Sequence, residues 1–514
     1  MSTVASTILQ KTPIFGKIFA VDKSTGLEDI NAWPSLMIMA SFIWLGVAGL
    51  LGFVMPATQI FDLNSDLFYT SLTLHGAALA FPFSFQLMMG VGLHRSGGCV
   101  GKPITGWLAA MVFFTMNVGA ALFTVAVLMG LKVSMVVMYP LPMVGAEMGM
   151  WSMSSVVVGF TGIYLMLACM IWFYPLMLIK MLFFGQKREE LILSERKVSD
   201  PGMLGMALAA FILLVSGLPL TVTGTAFMLG LYKILPMTLV GWAFEPVVFQ
   251  YSFYIFAHNL MEAMAIMIIS AIYATLPLYL ADGSRKLYSD KLANLALWLL
   301  FVTSVTSFLH HFITLGPNQP SILSYWGNLM SWATGVGAAV SIFTIFATIW
   351  QHGLKREPAI IAALAGWALY TLDGASAMVT SNIAWHYQLH GTVWQTGHTM
   401  TVIVSMSVGW LGILYHHYPV MTGRRLDPAL GNWFIRLFFV GGVGAAVTML
   451  AAGAAGMPKR YADWNQEGWM LYGNLIVVFG LILGASLVVY TYNLMKSREI
   501  TTTSFGGEQT TVPA

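Results

Sequence analysis

The sequence predicts an all-α membrane protein, a single bundle of twelve transmembrane helices with both termini on the cytoplasmic side. Three observations carry this. Hydrophobic residues make up 58% of the chain and charged residues only 9%, against roughly 25% charge in an ordinary soluble domain. Apolar runs long enough to supply the ~20 residues that cross a hydrocarbon core recur twelve times. Lys and Arg crowd into alternate connections between those runs.

The spans fall near 33–55, 69–93, 105–131, 151–180, 203–232, 251–279, 293–316, 323–350, 358–380, 385–415, 432–456 and 468–494. Residues 236–250, with Pro236 and Pro246, are expected to approach the sixth span along the interface. No long hydrophilic insertion divides the spans, so residues 33–495 read as one membrane domain between an N-terminal segment 1–32 and a polar tail 496–514. The first 30 residues lack the long apolar core of a cleaved signal peptide. With the N-terminus inside, the inside segments hold 20 of the 24 Lys and Arg. The outside keeps Lys132, Lys233, Lys459 and Arg460, and that asymmetry places both termini in the cytoplasm. Cys99 and Cys169 form neither CxxC nor CxxCH, which argues against a disulfide scaffold, a thiolate copper centre or covalently attached haem c. The net charge of +3 is small, and no nucleic-acid partner is expected; the lipid bilayer is the expected surroundings.

Against this apolar background the polar residues inside spans stand out, because imidazoles and carboxylates in hydrocarbon need partners and mark function. His310 and His311 lie in the seventh span, His75 in the second, His258 and Glu262 in the sixth, and His390, His398 and Met400 in the tenth. Given the direction of each span, every one of these histidines falls in the outer half of the membrane, and scattered packing histidines have no reason to agree in depth. His258 and Glu262, four apart, share a helix face. His398 and Met400, two apart, point to nearly opposite faces at about 100° per residue, so one helix can serve two cofactors. His310 and His311 splay by about 100° and can still close on a single ion. The bland readings stand beside these. A lone buried histidine is more often a hydrogen-bonded core residue, Met400 is one of 35 methionines and can be packing filler, and Lys459 and Arg460 can be interface anchors. His94, His352, His386, His416 and His417 read as helix-end or interfacial residues without chemistry. Glu147 reads as a surface acid.

The pattern of ligand-bearing spans two, six, seven and ten resembles the catalytic subunit of the haem–copper oxidase superfamily. The segment GHTMTVIVSMSVGWLGILYHHYPVMTGRRL resembles the family's tenth helix and following loop, HGTVWQTGHTM resembles its HDTYYVVAHFH, and GMPKRYADW at 456–464 resembles its GMPRRY. The resemblance covers roughly 33–494. It implies that His398 is the proximal ligand of a high-spin haem, that His258, His310 and His311 hold a distal non-haem metal, and that His75 ligates a low-spin haem. It places His390 near the haem propionates, with Lys459 and Arg460 pairing with them. It further implies two haems, expected to be haem b, an outer membrane-anchored electron-donating subunit with a cupredoxin or cytochrome c domain, and a bacterial or archaeal cytoplasmic membrane.

Two departures from the family pattern bear on function. In oxygen-reducing members of similar type the position four after the first distal-metal histidine is a tyrosine, whereas here it is Glu262, and residues 292–314 offer no substitute tyrosine. Nitric oxide reductases of the superfamily carry a glutamate there that binds iron, and a three-His, one-carboxylate set suits iron better than copper. FAHNLMEA therefore resembles a nitric oxide reductase signature on an oxidase-like frame, with Glu262 as metal ligand and proton relay and iron favoured over copper. Second, Met400 stands where the family has the other axial histidine of the low-spin haem, which implies His75/Met400 ligation and a raised potential. The alternatives are a terminal oxidase reducing O2 at a distal copper, with Tyr254 one turn before His258, an NO dismutase, and, from another class, a twelve-helix secondary transporter.

Overall fold

The computed structural model describes residues 2–12, 15–61, 63–133, 151–314, 321–462 and 468–500. Twelve helices in it are long and apolar enough to cross a membrane. They are α1 Glu28–Ile60, α2 Ser65–Val100, α3 Trp107–Leu128, α4 Met153–Phe183, α5 Pro201–Leu231, α6 Pro246–Tyr279, α7 Asp290–Phe312, α8 Ile322–His352, α9 Pro358–Ser381, α10 Val393–Thr422, α11 Pro428–Ala454 and α12 Met470–Met495. Each expected span has its helix. The acid Glu147, Asp463 and Trp464 of the 456–464 stretch, and the tail from 501 lie outside the described residues.

Helix ends follow capping chemistry more closely than hydropathy. Pro201, Pro246, Pro358 and Pro428 each open a helix at its first position, where the missing N–H costs nothing. That is why α6 begins at Pro246, ahead of its apolar run. The approach before it is a short helix, Met237–Val240, and a 3-10 turn, Gly241–Phe244. α2 runs past its expected end and takes Arg95 with it; the guanidinium is 2% exposed and donates to Gly202 O at 2.6 Å. Around Pro82 the backbone of α2 loosens into a π-helical stretch, Leu79–Phe85, as expected where proline removes a donor.

Short connections make neighbours in sequence neighbours in space. α3 packs on α4, α5 on α6, α7 on α8, α9 on α10 and α11 on α12, while α1 packs along α2. α10 also touches α2 and α6, so three ligand-bearing helices share the centre. Burial follows the same order: 89% of the apolar window of α2 is inside, 78% for α10 and 72% for α6, against 11% for α12. The outer surface is apolar, with Val302, Phe346 and Trp350 well exposed, the reverse of a water-facing protein and the surface a bilayer covers. His416 and His417 sit near the end of α10. They are buried beside His94, whose ring centroid lies 5.0 Å from that of His417, and His416 Nδ1 is 2.8 Å from Tyr279 Oη.

The end of α7 sets up the site. Its last residues, Phe308–Phe312, tighten into a 3-10 turn, and α8 presses against this turn at Gly327. A Cβ at 327 would sit 2.3 Å from His310 N and 2.4 Å from Leu309 C, so only glycine lets the two backbones meet. Replacement of Gly327 by alanine is expected to displace the His310–His311 turn and to cost about 1–3 kcal/mol, the usual range for overpacking. Thermal unfolding in detergent checks the stability loss, and reduced metal content of the purified protein checks the displacement.

Candidate functional site

Three imidazoles converge where α6 meets the end of α7. One ring nitrogen each from His258, His310 and His311 lies within 4.8 Å of the others, and among the described residues this is the group of His, Cys, Asp and Glu side chains able to close on a metal ion. The His258 ring centroid is 4.9 Å from that of His310 and 5.5 Å from that of His311. Neutral imidazoles in this number suit a transition metal.

The second partners of the rings fix which nitrogens are free. Ser331 Oγ donates to Gly327 O at 2.8 Å, so the same oxygen accepts from His310 Nδ1–H, also at 2.8 Å. That leaves His310 Nε2 as the lone-pair donor, the usual device for orienting a ligating histidine. His258 Nδ1 is buried with no hydrogen-bond partner, a placement that costs roughly 1–3 kcal/mol unless something binds it. Tyr254 stacks on His311 with ring centroids 4.4 Å apart and planes 19° apart. Glu262 lines the same cavity, and its Oε2 is likewise buried and unpartnered. Its carboxylate is not in the 4.8 Å group, although it is one turn from His258 on the same face of α6. Of the expected three histidines and one carboxylate, the structure brings the three rings together and puts Glu262 in the wall of the same cavity.

A cavity of about 1250 Å³ joins this centre to the other expected residues: His75, His398, Met400, Lys459 and Arg460 all line it. It exceeds the ~300–1000 Å³ of common ligand pockets. His75 Nδ1–H donates to Ala48 O at 2.8 Å, leaving Nε2 free. A Cβ on Gly52 would lie 2.9 Å from the His75 ring, whereas one on Gly46 or Gly49, in the same wall, would meet nothing within 4 Å. The wall beside His75 is therefore smooth enough for a flat macrocycle. His398 and Met400 both reach the cavity although they are two residues apart, so it extends along two flanks of α10. His75, Met400 and His398 with their free donor atoms fit two haems, and the three-histidine centre with its orphaned His258 Nδ1 fits a further metal.

Two residues that motif reading passed over belong to the site. Asp373 of α9, 2% exposed, accepts from His398 Nδ1–H at 3.1 Å. His386 was read as a helix-end residue; it is 1% exposed and lines the cavity, whereas His390 sits behind it. The short helix Ile383–Leu389 ends at His390, Gly391 turns the chain at φ 85°, and Thr392 caps α10, so His390 precedes the tenth span. A chain of contacts runs outward: His386 Nδ1–H donates to Thr380 O at 2.8 Å, His386 Nε2 lies 3.1 Å from His390 Nδ1, and Gln395 reaches both His390 at 3.2 Å and Lys459 Nζ at 2.6 Å. Burial, helped by His386 and Lys459, pushes His390 down to about 4, so it is neutral at physiological pH. The i, i+4 spacing of His386 and His390 was the available signal. Arg460 holds a left-handed backbone at φ 64°, the kind of strain that collects at functional sites.

The family model described as "Cytochrome C and Quinol oxidase polypeptide I" matches residues 35–489. The chain belongs to that family. As a polypeptide I family member with twelve apolar helices it is a multi-pass protein of the cytoplasmic membrane, and the transporter alternative falls. It is 24% identical over 311 residues to cytochrome c oxidase subunit 1 of Corynebacterium glutamicum, an alignment covering 58% of this chain and 51% of the relative. It is 26% identical over 215 residues to quinol oxidase subunit 1 of Bacillus subtilis, covering 41% and 33%. The chain thus spans about half or less of the length of these curated relatives. A solved structure described as a heme-copper terminal oxidase dimer superposes with a TM-score of 0.72 at 16% identity, covering 96% of this chain and 85% of the other, which shows the shared fold.

In this polypeptide I member, Ser331→Ala is expected to leave His310 Nδ1 without a partner and to weaken metal retention by about 10–100-fold, the common effect of losing a supporting hydrogen bond. Metal content after graded chelator treatment, compared with the unsubstituted protein, checks this.

Proposed function

We propose that the chain is the catalytic subunit of a respiratory nitric oxide reductase, converting two NO, two electrons and two protons to N2O and water. The observation that carries the reading is Glu262. One turn after His258, where oxygen-reducing relatives of similar type are understood to carry tyrosine, this chain has a cavity-lining glutamate whose Oε2 is buried without a partner.

His258, His310 and His311 hold the distal metal, with iron favoured over copper by the nearby carboxylate. His398 holds the high-spin haem, and His75 with Met400 holds the low-spin haem, a pairing that raises its potential relative to two histidines. When bound, the haem iron and the distal metal supply electrons and the positions at which two NO molecules meet. The chain's own residues do the rest. Ser331 keeps the His310 ring in place, and Tyr254 braces His311 by stacking. Glu262, the carboxylate beside the metal, takes a proton and delivers it where N–O cleavage requires it. The apolar remainder of the wall admits a small uncharged substrate and excludes bulk water. Lys459, Arg460 and His386, with His390 behind, form the polar rim that would receive the haem propionates.

Electrons come from a membrane-anchored partner subunit with a cupredoxin or cytochrome c domain, since this chain carries neither CxxC nor CxxCH. Both termini face the cytoplasm on the charge asymmetry.

A terminal oxidase is the second reading. It is favoured by Tyr254 on the His311 ring and by the absence of the Glu262 carboxylate from the three-histidine group, and the relatives above are named as oxidases. A metal and haem inventory of the purified protein separates the two: two haems with one additional iron are expected, whereas one copper per chain makes the protein an oxidase. Glu262→Gln is expected to lower N2O formation from NO by at least about 10²-fold, the lower end for losing a general acid or base, with haem content unchanged; gas chromatography of the headspace reads it. Met400→Ala is expected to abolish the low-spin haem absorption and to leave a ferrous haem that binds CO.

A further inference from the structure

His398 and Asp373 lie on neighbouring helices that meet through glycine. A Cβ on Gly366 of α9 would sit 2.4 Å from Ser405 O and 2.5 Å from Gly409 N of α10, and one on Gly412 would sit 2.4 Å from Ala363 N. Small residues at such a seam let two backbones touch. The helices run antiparallel, so seven residues forward from Gly366 is Asp373, and seven back from Ser405 is His398. Seven residues are two turns, which returns each side chain to the seam face about 10 Å further along. The seam thereby brings the carboxylate to the ring.

The contact is close, and its carboxylate is buried. His398 Nδ1 is 3.1 Å from Asp373 Oδ1, to which it donates, and 3.0 Å from Oδ2. Oδ2 is buried and has no other partner. The carboxylate side chain is 1% exposed, while the His398 side chain, at 29%, opens to the cavity. Ser376 Oγ donates to Asp373 O at 2.8 Å and lies 3.1 Å from Oδ1. Two other rings of the site donate to neutral oxygens: His75 to Ala48 O, and His310 to Ser331 Oγ. His398 alone among these three gives its proton to a carboxylate.

We infer that Asp373 is a positioning residue that makes His398 an unusually strong donor to the high-spin haem iron. This rests on His398 being the iron ligand, as in the function proposed above. A histidine that donates its second N–H to a carboxylate is fixed in one tautomer and becomes more basic at the ligating nitrogen. Greater electron donation from the axial ligand favours ferric over ferrous iron and is one of the protein's levers on haem potential. It sets the two haems apart: Met400 raises the potential of one, and Asp373 lowers that of the other, so the second is the more strongly reducing when it meets substrate.

The test uses the purified full chain with its haems, comparing the unsubstituted protein with D373N and D373E. Resonance Raman spectroscopy reads the iron–histidine stretch of the ferrous high-spin haem, and a redox titration reads both midpoints. D373N is expected to lower the stretch frequency and raise the high-spin midpoint, changing the ferrous-to-ferric ratio at fixed potential by at least tenfold, about 59 mV for one electron. The low-spin midpoint stays put, and D373E restores most of both shifts. A merely structural aspartate would leave the stretch where it was, so an unchanged band and midpoint in haem-replete D373N overturns the inference. If neither variant retains haem, the unsubstituted protein decides. Its band must lie above that of a ferrous haem–imidazole complex in water, and a band at or below it overturns the inference. Absence of any iron–histidine band in the unsubstituted protein overturns the ligation reading itself, and this inference with it.

Discussion

Three imidazoles of the cavity each place an N–H on a fixed oxygen, and those three bonds tie the ligand-bearing helices to their neighbours. Ala48 O, Ser331 Oγ and Asp373 each take one such proton. Once those protons are committed, the remaining nitrogens have one direction left, which is the cavity. The partners come from α1, α8 and α9, so the helices without ligands are held in register with those that carry them. The close approaches of α8 to the α7 turn and of α9 to α10 are the means by which these oxygens arrive within reach, and glycine occupies the contact in both cases.

Much of this was legible in the chain. Twelve apolar runs gave twelve helices, and histidines in four runs converge on one cavity because a costly residue in hydrocarbon keeps a readable signature. His258 and Glu262 share a face as their spacing requires, and both line the cavity, while the three histidines alone form the close group. The supporting residues were harder. Ser331 is one small polar residue among many in an apolar helix, and its role depends on α8 crossing the α7 turn, which no local pattern encodes. Asp373 was more accessible than its omission suggests. A carboxylate in the middle of the ninth span is as anomalous as a histidine, and only the lack of a motif around it hid it. His390 was set inside the tenth span because hydropathy does not register the turn at Gly391 that begins the helix later.

The fold and its family are shared with subunits of oxidases that carry other names, and a common frame does not by itself fix chemistry. In the proposed reading three side chains at the cavity set its chemistry: Glu262 one turn after His258, Met400 two residues beyond His398, and Asp373 behind the His398 ring. Each acts through charge or donor strength.

The glycine seam between α9 and α10 has a mechanical meaning as well. Two helices in backbone contact move as a single strut, so any displacement of α9 carries the residue that grips the ring and the ring together. The Asp373–His398 contact is thereby anchored in the packing of two backbones, and the orientation of that ring follows from the stiffness of one apolar joint.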